Sequence, residues 1–357
     1  MIESRRFDNK KILLIDKAPK IKNDRTWCFW EDQSGYFEEI VFNRWDDLKF
    51  KTENKTIDLQ IAPYQYKMIR GLDFYNHCFK KINSFKNIEI EYGDITIDKL
   101  NKISIDGNLL NIDGAIVFNS IYAKPKSANT FYLLQHFTGW VIETKEPVFN
   151  EATLMDFSID QSWGTSFIYL LPFSKNKALI EYTLFTSSLL KEEEYEQALK
   201  DYIEKQKGIS NYSIEEKEFG VIPMTNIKFE PFSNGIYNIG TIGGQTKGST
   251  GYTFKFIQER ADEIVSELIG KGLPSKVSGL NKRHHFYDST LLHILTNNMV
   301  SGKEVFNHLF SKNKANKVLK FLDNKTTILE ELRIINSLPK KPFAIAGLKE
   351  LYKSLFR

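Results

Sequence analysis

Apolar and polar positions along the chain predict an α/β fold interrupted by a sheet. Residues 11–16, Lys-Ile-Leu-Leu-Ile-Asp, form a continuous apolar run that ends in an acid, which predicts a buried parallel strand. Further strands are predicted over 56–61, 87–92 and 235–242, the last of them buried, with a helix over 71–84. These elements belong to the α/β part of the chain.

The middle of the chain reads as β structure and the rest mainly as helix. Residues 102–119 predict two short strands and a buried run, and 131–145 with 152–185 predict an antiparallel sheet. Within it, 166–173 and 178–185 form a hairpin across 174–177. Helices are predicted over 191–206, over 252–270 and from 281 to the C-terminus. The last of these is broken near Pro339 and Pro342.

This order predicts a Rossmann-like dinucleotide-binding domain of the α/β class with an inserted antiparallel sheet, an α+β insertion, and C-terminal helices. The order resembles that of flavoprotein oxidoreductases in which a sheet domain is inserted into a dinucleotide fold, and this resemblance implies that 1–60, 95–125 and 215–275 form an FAD-binding part. We assign 61–94 and 126–214 to the substrate and catalytic sheet domain, and 276–357 to the helical region.

The amino-acid composition gives no support to nucleic-acid binding, to a disulfide-rich fold or to a metal site. The 357 residues carry 49 Lys and Arg against 45 Asp and Glu, a net charge of +4, which gives no sign of nucleic-acid binding. Aromatic residues reach 13%, which suits a large apolar ligand as well as an ordinary core. The two cysteines and six scattered histidines predict neither a disulfide framework nor a metal site.

The strand over 11–16 ends at Asp16, and in a Rossmann unit the acid at the end of the second strand accepts a hydrogen bond from the adenosine ribose. A first strand and a Gly-x-Gly-x-x-Gly turn would precede it. Either Asp16 is an ordinary acid at a strand end, or the chain lacks roughly two dozen residues of a βαβ unit. We expect the second, an N-terminally truncated domain.

A glycine-rich loop lies between the strand over 235–242 and the following helix. It contains Gly243, Gly244, Gly248, Thr250 and Gly251. Glycine permits positive φ and close approach, and a helix N-terminus attracts anions. The loop predicts a site for a pyrophosphate or a flavin ring, or else a plain strand–loop–helix connection.

Two acids stand among apolar residues. Glu181 is the one acid in the strand over 178–185, and Asp156 lies in Leu-Met-Asp-Phe. If Glu181 faces inward, burial raises its pKa, and a carboxyl that stays protonated can serve as a general acid. Alternatively it points outward or pairs with a lysine, and the same alternative holds for Asp156.

Several short motifs, taken in order, resemble those of the bacterial flavin-dependent lycopene cyclases. They are Asn23–Trp27, Tyr66 through Arg70 to Asp73-Phe-Tyr75, Leu134–Trp140, Met155-Asp156, Leu171–Ser174, Leu179–Thr183, Gly220–Met224, Gly243–Gly251, and Phe286–Asp288 with Leu291-Leu292. The chain departs from the family in lacking the N-terminal Gly-x-Gly-x-x-Gly. It also has Tyr182 where the family has a second acid, so one catalytic carboxylate is expected.

The resemblance implies an isomerase, an intramolecular lyase that adds a proton to a ψ end of lycopene and closes a β-ionone ring. It implies reduced FAD, with NAD(P)H as an indirect reductant, held by Asp16, Gly243, Gly244, Gly248, Thr250 and Gly251. Glu181 would be the acid. Asp156, His136, Trp140 and Tyr182 would line the substrate pocket, although His136 and Trp140 are equally compatible with a core.

Lycopene dissolves in membranes, so the resemblance implies a cytoplasmic protein attached peripherally to the inner membrane. Leu348, Leu351, Tyr352, Leu355 and Phe356 have the spacing of an interfacial helix, or of one packed on its own domain. Two other functions stay open. One is another FAD-dependent oxidoreductase of this fold, such as a monooxygenase or polyprenyl reductase, and the other is an inactive truncated remnant.

Overall fold

The computed structural model describes residues 1–98, 101–125, 127, 129–276 and 281–355. The strands are β1 Ile12–Asp16, β2 Thr26–Glu31, β3 Asn43–Trp45, β4 Asp47–Thr52, β5 Lys55–Gln60, β6 Gln65–Arg70, β7 Ile88–Tyr92, β8 Ile95–Ile97, β9 Ile103–Ile105, β10 Asn108–Leu109, β11 Val117–Asn119, β12 Tyr132–Thr144, β13 Thr153–Asp156, β14 Thr165–Pro172, β15 Lys177–Thr186, β16 Tyr212–Thr225, β17 Phe232–Ser233 and β18 Ile236–Asn238. The helices are α1 Gly71–Ile82, α2 Glu192–Lys200, α3 Phe254–Lys271, α4 Lys282–Thr296, α5 Gly302–Lys312, α6 Ala315–Leu322, α7 Ile328–Ser337 and α8 Lys340–Leu355.

The largest sheet has seven strands in the order β16-β12-β15-β14-β13-β4-β5. Its neighbours are antiparallel except β13 and β4, which run parallel. The predicted hairpin is confirmed as β14 and β15, with Ile168 opposite Tyr182 and Leu170 opposite Ile180. A smaller sheet, β2-β6-β3, packs near it.

The α/β part contains two parallel strand pairs. β1 pairs with β7, and β11 pairs with β18. The parallel pairing predicted for residues 11–16 is therefore confirmed, but their predicted burial is wrong because Leu13 and Leu14 are exposed. Within the described residues β1 is paired along one edge only, which leaves these apolar side chains uncovered.

The two faces of the large sheet bury separate cores. One face packs Val141, Leu179 and Phe185 against the β2-β6-β3 sheet and the C-terminal helices. The other face packs Ile180 and Leu184 beneath α2 and the π-helical segment Asp201–Gln206. Both sides of β15 are therefore covered, which explains why its sequence is apolar nearly throughout.

The predicted helices are present as α1, α2 and α3 and as α4 to α8, within the described residues. Two details differ. The strand predicted over 235–242 ends at Asn238, since a 3₁₀ turn follows at Gly240–Gly243. Pro342 does not break the last helix because it lies in the first turn of α8, where a missing N–H costs no helical hydrogen bond.

The sheet pairing crosses the predicted domain boundaries in two places. β4 and β5 join the large sheet, although they lie before residue 61 in the predicted FAD-binding part. β7 pairs with β1, although it lies after residue 61 in the predicted substrate part. The division into FAD-binding, substrate and helical parts stays a prediction.

Candidate active site

A cross-strand row of four residues occupies the large sheet. Gly139 of β12 pairs with Glu218 of β16 on one side and with Glu181 of β15 on the other, and Glu181 pairs with Tyr169 of β14. Cross-strand partners project to the same face of a sheet. Neighbouring strands lie about 4.8 Å apart, so the glycine leaves room in which two carboxyl groups meet.

Glu181 is half-buried in this row, and Thr183 Oγ1 donates a 2.6 Å hydrogen bond to its Oε1. Burial raises the pKa of Glu181 well above the usual range, and the charge of Glu218 raises it further. The hydrogen bond from Thr183 lowers the pKa but is outweighed. The carboxyl therefore keeps its proton at pH values where an ordinary glutamate has lost it.

Glu218 is the second carboxyl of the row. Thr26 Oγ1 of β2 donates a 2.7 Å hydrogen bond to its Oε2, whereas Oε1 is buried without a hydrogen-bond donor. Burial raises the pKa of Glu218, while hydrogen bonds with Thr26 and Glu181 lower it. Of the two carboxyls, Glu181 is thus the better proton holder and Glu218 the better acceptor.

A cavity of about 160 Å³ opens beside Glu218, and Glu181 lies behind its wall, next to Gly139 in the row. Thr26, Gly139 and Glu218 contribute to its wall. Its apolar lining consists of Phe42, Met68, Val141, Phe173 and Leu179, and its polar lining includes Asn23, Arg70, Lys177, Glu216 and Lys217. An apolar group bound in this cavity would lie against the wall that contains the Glu218 carboxyl.

Two sequence blocks near the start of the chain, around Asn23 and Arg70, contribute to this cavity wall. Asn23 donates a 3.0 Å hydrogen bond to Glu216, and Arg70 holds Asp73 at 2.7 Å and lies 4.1 Å from the centre of the Phe42 ring. The Asn23 bond joins the segment before β2 to the edge strand β16, and the Arg70 contacts join the end of β6 to α1 and to Phe42. The polar residues therefore position the sheet edge that carries Glu218.

Several positions of the glycine loop accept only glycine, because of a positive φ or a close contact. Gly244 and Gly251 have φ of 84° and 72°. A Cβ at Gly248 would lie 2.4 Å from the Thr225 carbonyl oxygen, and one at Gly251 would lie 2.5 Å from Gln135 Oε1. The loop is therefore pressed against β12 and β16, on the carboxyl face of the sheet.

Buried polar atoms without partners accompany these glycines. Thr250 Oγ1, Gln245 Oε1 and Gln135 Oε1 are buried with no hydrogen-bond partner. Lys247 and Ser249 are instead held by Asp288, at 3.0 and 2.6 Å. The loop leads into the N-terminus of α3, so its residues fit the ring end of a flavin that would supply the missing partners.

Tyr252 connects this loop to the carboxyl row. Its hydroxyl hydrogen-bonds with Tyr169 and Tyr66, and burial raises its pKa to about 12. Its ring centroid lies 4.6 Å from that of Trp30. Since Tyr169 is the cross-strand partner of Glu181, only one side chain separates Tyr252 from the acid.

Asp16 ends β1, where the sequence predicted a ribose-binding acid. Its Oδ1 lies 3.0 Å from Lys20 Nζ and accepts a hydrogen bond from the Ala18 N–H at 3.4 Å. The carboxylate is therefore shared with local partners. Its part in cofactor binding stays a prediction.

The four residues predicted for a substrate pocket lie on the opposite face of the large sheet, under α2 and the π-helical segment. His136 contacts Thr186 at 2.7 Å and Tyr195 at 2.5 Å, and burial lowers its pKa to about 4. Asp156 accepts a 2.8 Å hydrogen bond from Tyr202. Trp140 and Tyr182 belong to the same buried cluster. The structure does not bring these four to the cavity.

Sequence reasoning missed Glu218, Thr26 and Gly139 as members of the site. It expected one carboxylate because Tyr182 stands beside Glu181, but consecutive residues of a strand face opposite sides. The second carboxyl comes instead from the edge strand β16, which β12 separates from the strand of Glu181. The available signal was the position of Glu218 just before the Gly220–Met224 block, within a strand that was not predicted.

A family model described as lycopene cyclase protein matches residues 4–346. The chain belongs to the lycopene cyclase family. Among curated proteins, the lycopene beta-cyclase of Pantoea ananas is 25% identical over 229 residues, which are 60% of this chain and 56% of the relative. The match thus spans little more than half the length of that curated protein.

Solved structures share the fold of this lycopene cyclase family member. A geranylgeranyl bacteriochlorophyll reductase-like protein from Thermoplasma acidophilum covers 96% of this chain and 92% of its own, with a TM-score of 0.56 and 12% identity. A flavin-dependent halogenase from Xanthomonas campestris covers 96% and 90%, with a TM-score of 0.55 and 6% identity. The Rossmann-like α/β fold with an inserted sheet is therefore confirmed.

Two kinds of feature are absent from the described residues. No helix there has both the length and the apolar character needed to cross a membrane. No group of three or more His, Cys, Asp and Glu side chains in that part of the chain is arranged to hold a metal ion.

Proposed function

We propose that this chain binds FAD and cyclises a ψ end of lycopene to a β-ionone ring by adding a proton. The observation that carries the proposal is a carboxyl with a raised pKa, Glu181, in a row of residues of which Gly139 and Glu218 line a cavity with a partly apolar wall. An alkene is a very weak base, so its protonation requires an acid that is positioned and poorly solvated. Membership of the lycopene cyclase family supports the same reaction.

Glu181 acts as the general acid in this proposal. Its proton adds to the terminal alkene, and the positive charge appears at the neighbouring tertiary carbon. The next double bond then attacks that carbon and closes the ring, and a proton leaves the new cation. The reaction needs no net oxidant or reductant, because the product is an isomer of the substrate.

The walls of the cavity suit a short-lived cation. Phe42 and Phe173 stand edge to face, 5.0 Å apart between ring centroids, and both line the cavity. An aromatic face near a cation contributes about 0.5–2 kcal/mol. The remaining apolar side chains, Met68, Val141 and Leu179, limit the water that would otherwise trap the cation.

FAD would be held by the glycine loop, with Gly243, Gly244, Gly248, Thr250 and Gly251 close to the isoalloxazine ring and Asp16 at the ribose. In its reduced form the bound flavin supplies negative charge that stabilises a nearby cation. NAD(P)H would serve as its indirect reductant. Thr250 Oγ1 and Gln245 Oε1 would gain the hydrogen-bond partners that they lack.

Contact with a bilayer would deliver the substrate, which is a hydrocarbon of roughly 40 carbons, too apolar to diffuse freely in water. Ile345, Leu348, Leu351 and Tyr352 of α8 are exposed. Exposed apolar side chains on a helix with basic neighbours, here Lys349 and Lys353, are typical of attachment at a membrane interface. Phe356 and Arg357, part of the predicted pattern, lie outside the described residues.

The test is to express the chain in cells that accumulate lycopene and to identify the pigments by chromatography and mass spectrometry. The proposal expects products with β-ionone rings and the mass of lycopene. A product that is reduced or oxygenated, formed with stoichiometric consumption of NAD(P)H, would instead identify an oxidoreductase of this fold. Unchanged lycopene in cells that contain folded protein with bound FAD would contradict both.

A further inference from the structure

We propose that Glu218 is a second catalytic carboxylate, which shares one proton with Glu181 and takes up the proton that ring closure releases. The inference rests on the proposed cyclisation and assigns the step that Glu181 alone leaves open. A single acid could start the reaction, but a base must end it. The structure offers that base two strands away, across Gly139 of β12, at the cavity wall.

The two carboxyl groups approach each other above Gly139. A Cβ at position 139 would lie 3.0 Å from Glu218 Cγ and 3.1 Å from its Oε1. Glu218 therefore bends over the glycine, toward the strand that carries Glu181. Glu181 and Glu218 are close enough for each to shift the other's pKa, and a hydrogen bond between the two carboxyls would require a proton between them.

Each carboxyl is held at one oxygen and leaves the other for its partner. Thr183 occupies Glu181 Oε1, and Thr26 occupies Glu218 Oε2. Glu218 Oε1 is buried and lacks a donor from any other described group, so a protonated Glu181 is the donor that completes it. Two interacting carboxylates in a poorly solvated site do not both keep a negative charge, so the pair retains one proton.

Charged groups around the pair are engaged elsewhere. Of the cations that line the cavity, Arg70 pairs with Asp73, Lys177 with Glu143, and Lys217 with Glu196. In the described part of the chain no ion pair involves either carboxyl. The other titratable groups that face the pair are Cys28, Tyr169 and Glu216, and the last adds negative charge. The pair therefore keeps its proton without a neutralising cation.

The proton balance closes within the pair. Glu181 gives its proton to the terminal alkene, whose π electrons form the new C–H bond, and becomes a carboxylate. The second alkene supplies the electron pair of the ring C–C bond. Glu218 then removes a proton from the carbon beside the new cation, and the electrons of that C–H bond become the ring double bond. Transfer of this proton from Glu218 to Glu181 restores the starting state.

The first test compares Glu218→Gln, Glu218→Asp and Glu215→Gln in lycopene-accumulating cells. Glu215 lies on the same strand, at a β-bulge where it has no cross-strand partner in β12, and it is exposed and does not line the cavity, which makes it a control. Glu218→Gln should lower cyclisation about 100-fold, the lower bound for loss of a general base, and Glu218→Asp should recover part of it. Glu218→Gln should also change the position of the ring double bond in residual product, because another base then removes the proton.

Normal activity and an unchanged product ratio in Glu218→Gln would overturn the proposal while leaving the cyclase function intact. Absence of cyclisation in the parent chain would instead refute the proposed function. Loss of activity in Glu215→Gln of the same size would show that charge on this strand matters in general, and would also overturn the role of Glu218.

The second test does not depend on activity. Infrared difference spectra of the purified chain, titrated with base, report the C=O stretch of a protonated carboxyl. The band should persist at neutral pH in the parent chain, vanish in Glu181→Gln, and titrate at lower pH in Glu218→Gln because the neighbouring negative charge is gone. A band that titrates at the same pH in the parent and in Glu218→Gln would show that the two groups do not share a proton.

Discussion

Thr26 Oγ1 donates a 2.7 Å hydrogen bond to Glu218 Oε2, joining residues that are 192 positions apart in the sequence. The bond connects β2, which follows the polar block at Asn23, to the edge strand of the large sheet. On the same face of β2, two residues further along, Cys28 lies next to Glu181, and burial raises the pKa of its thiol. β2 thus contacts Glu218 directly and places Cys28 near both carboxyls.

The space over Gly139 gives a first prediction. In Gly139→Ala the new methyl group would press on Glu218 and on Leu179, whose Cδ1 lies 3.0 Å from the Cβ position. We expect about 1–3 kcal/mol of destabilisation and a larger loss of cyclisation than of stability, because the carboxyls separate. Urea denaturation and pigment analysis measure the two effects.

Gly270→Ala is the control, since Gly270 lies in α3 and nothing lies within 4 Å of its Cβ position. That variant should be at least as stable as the parent chain. If Gly139→Ala keeps full activity, the carboxyls do not need the space above the glycine.

The raised pKa of Glu181 predicts how stability depends on pH. Its reference value is 4.5, and its pKa in the folded chain is well above that. Between these values the folded state holds a proton that the unfolded state has released, so the free energy of unfolding falls as pH rises through this window. Glu181→Gln removes this contribution and should flatten the decline. Urea denaturation at several pH values from about 5 to 8 makes the comparison.

Burial raises the pKa of Asp323 to about 6, so this residue also makes stability depend on pH. It is present in the parent chain and in Glu181→Gln and contributes equally to the two curves. The difference between the two curves therefore isolates the carboxyl pair. Parallel curves for the parent chain and Glu181→Gln would show that Glu181 has an ordinary pKa.

Packing of the glycine loop predicts an effect on flavin binding. Gly251→Ala places a methyl group 2.5 Å from Gln135 Oε1 and forces a positive φ on alanine, so FAD affinity should fall about tenfold or more. Quenching of flavin fluorescence on binding measures it. Gly235→Ala is the matched control because Gly235 also has a positive φ, 90°, but nothing near its Cβ position.

Equal losses of affinity in the two variants would mean that backbone strain, and not the space at Gly251, governs binding. No loss in either would remove the loop from the cofactor site. The Gly251→Ala and Gly235→Ala variants should both show the same far-ultraviolet circular dichroism as the parent chain.

Local sequence patterns predicted much of the fold. Alternation and apolar runs identified β12, β14 and β15, and the helical spacing identified α1 and α3, because each element buries a face that its own sequence marks. β16 was not predicted, because its first half, Tyr212–Glu218, is an edge strand rich in charge. Its pairing with β12 is a long-range contact that no local pattern records.

The candidate site was predicted only in part for the same reason. Glu181 stood out as the lone acid of an apolar strand. Glu218 did not stand out among Glu215, Glu216 and Lys217, and only the register that aligns it with Gly139 sets it apart. The side of the sheet that His136 and Trp140 face likewise depends on which face α2 covers, and that is set by tertiary packing.

Exposed apolar residues on α8 predict binding to lipid. Leu348 is 68% exposed, and Leu273, at the end of α3, is 52% exposed and serves as the matched control. Leu348→Glu should weaken binding to vesicles with anionic headgroups about tenfold or more, whereas Leu273→Glu should not. Vesicle sedimentation measures the bound fraction. Equal binding by both variants and the parent chain would exclude α8 as the attachment surface.

The most direct measurement is the pigment made by Glu181→Gln in cells that accumulate lycopene. Glutamine keeps the size and hydrogen-bonding capacity of the side chain but cannot deliver the proton, so ring formation should fall by a factor of about 100 or more. The variant should remain folded and should bind FAD as the parent chain does. β-Ionone rings formed at the parent rate by folded Glu181→Gln would contradict the account.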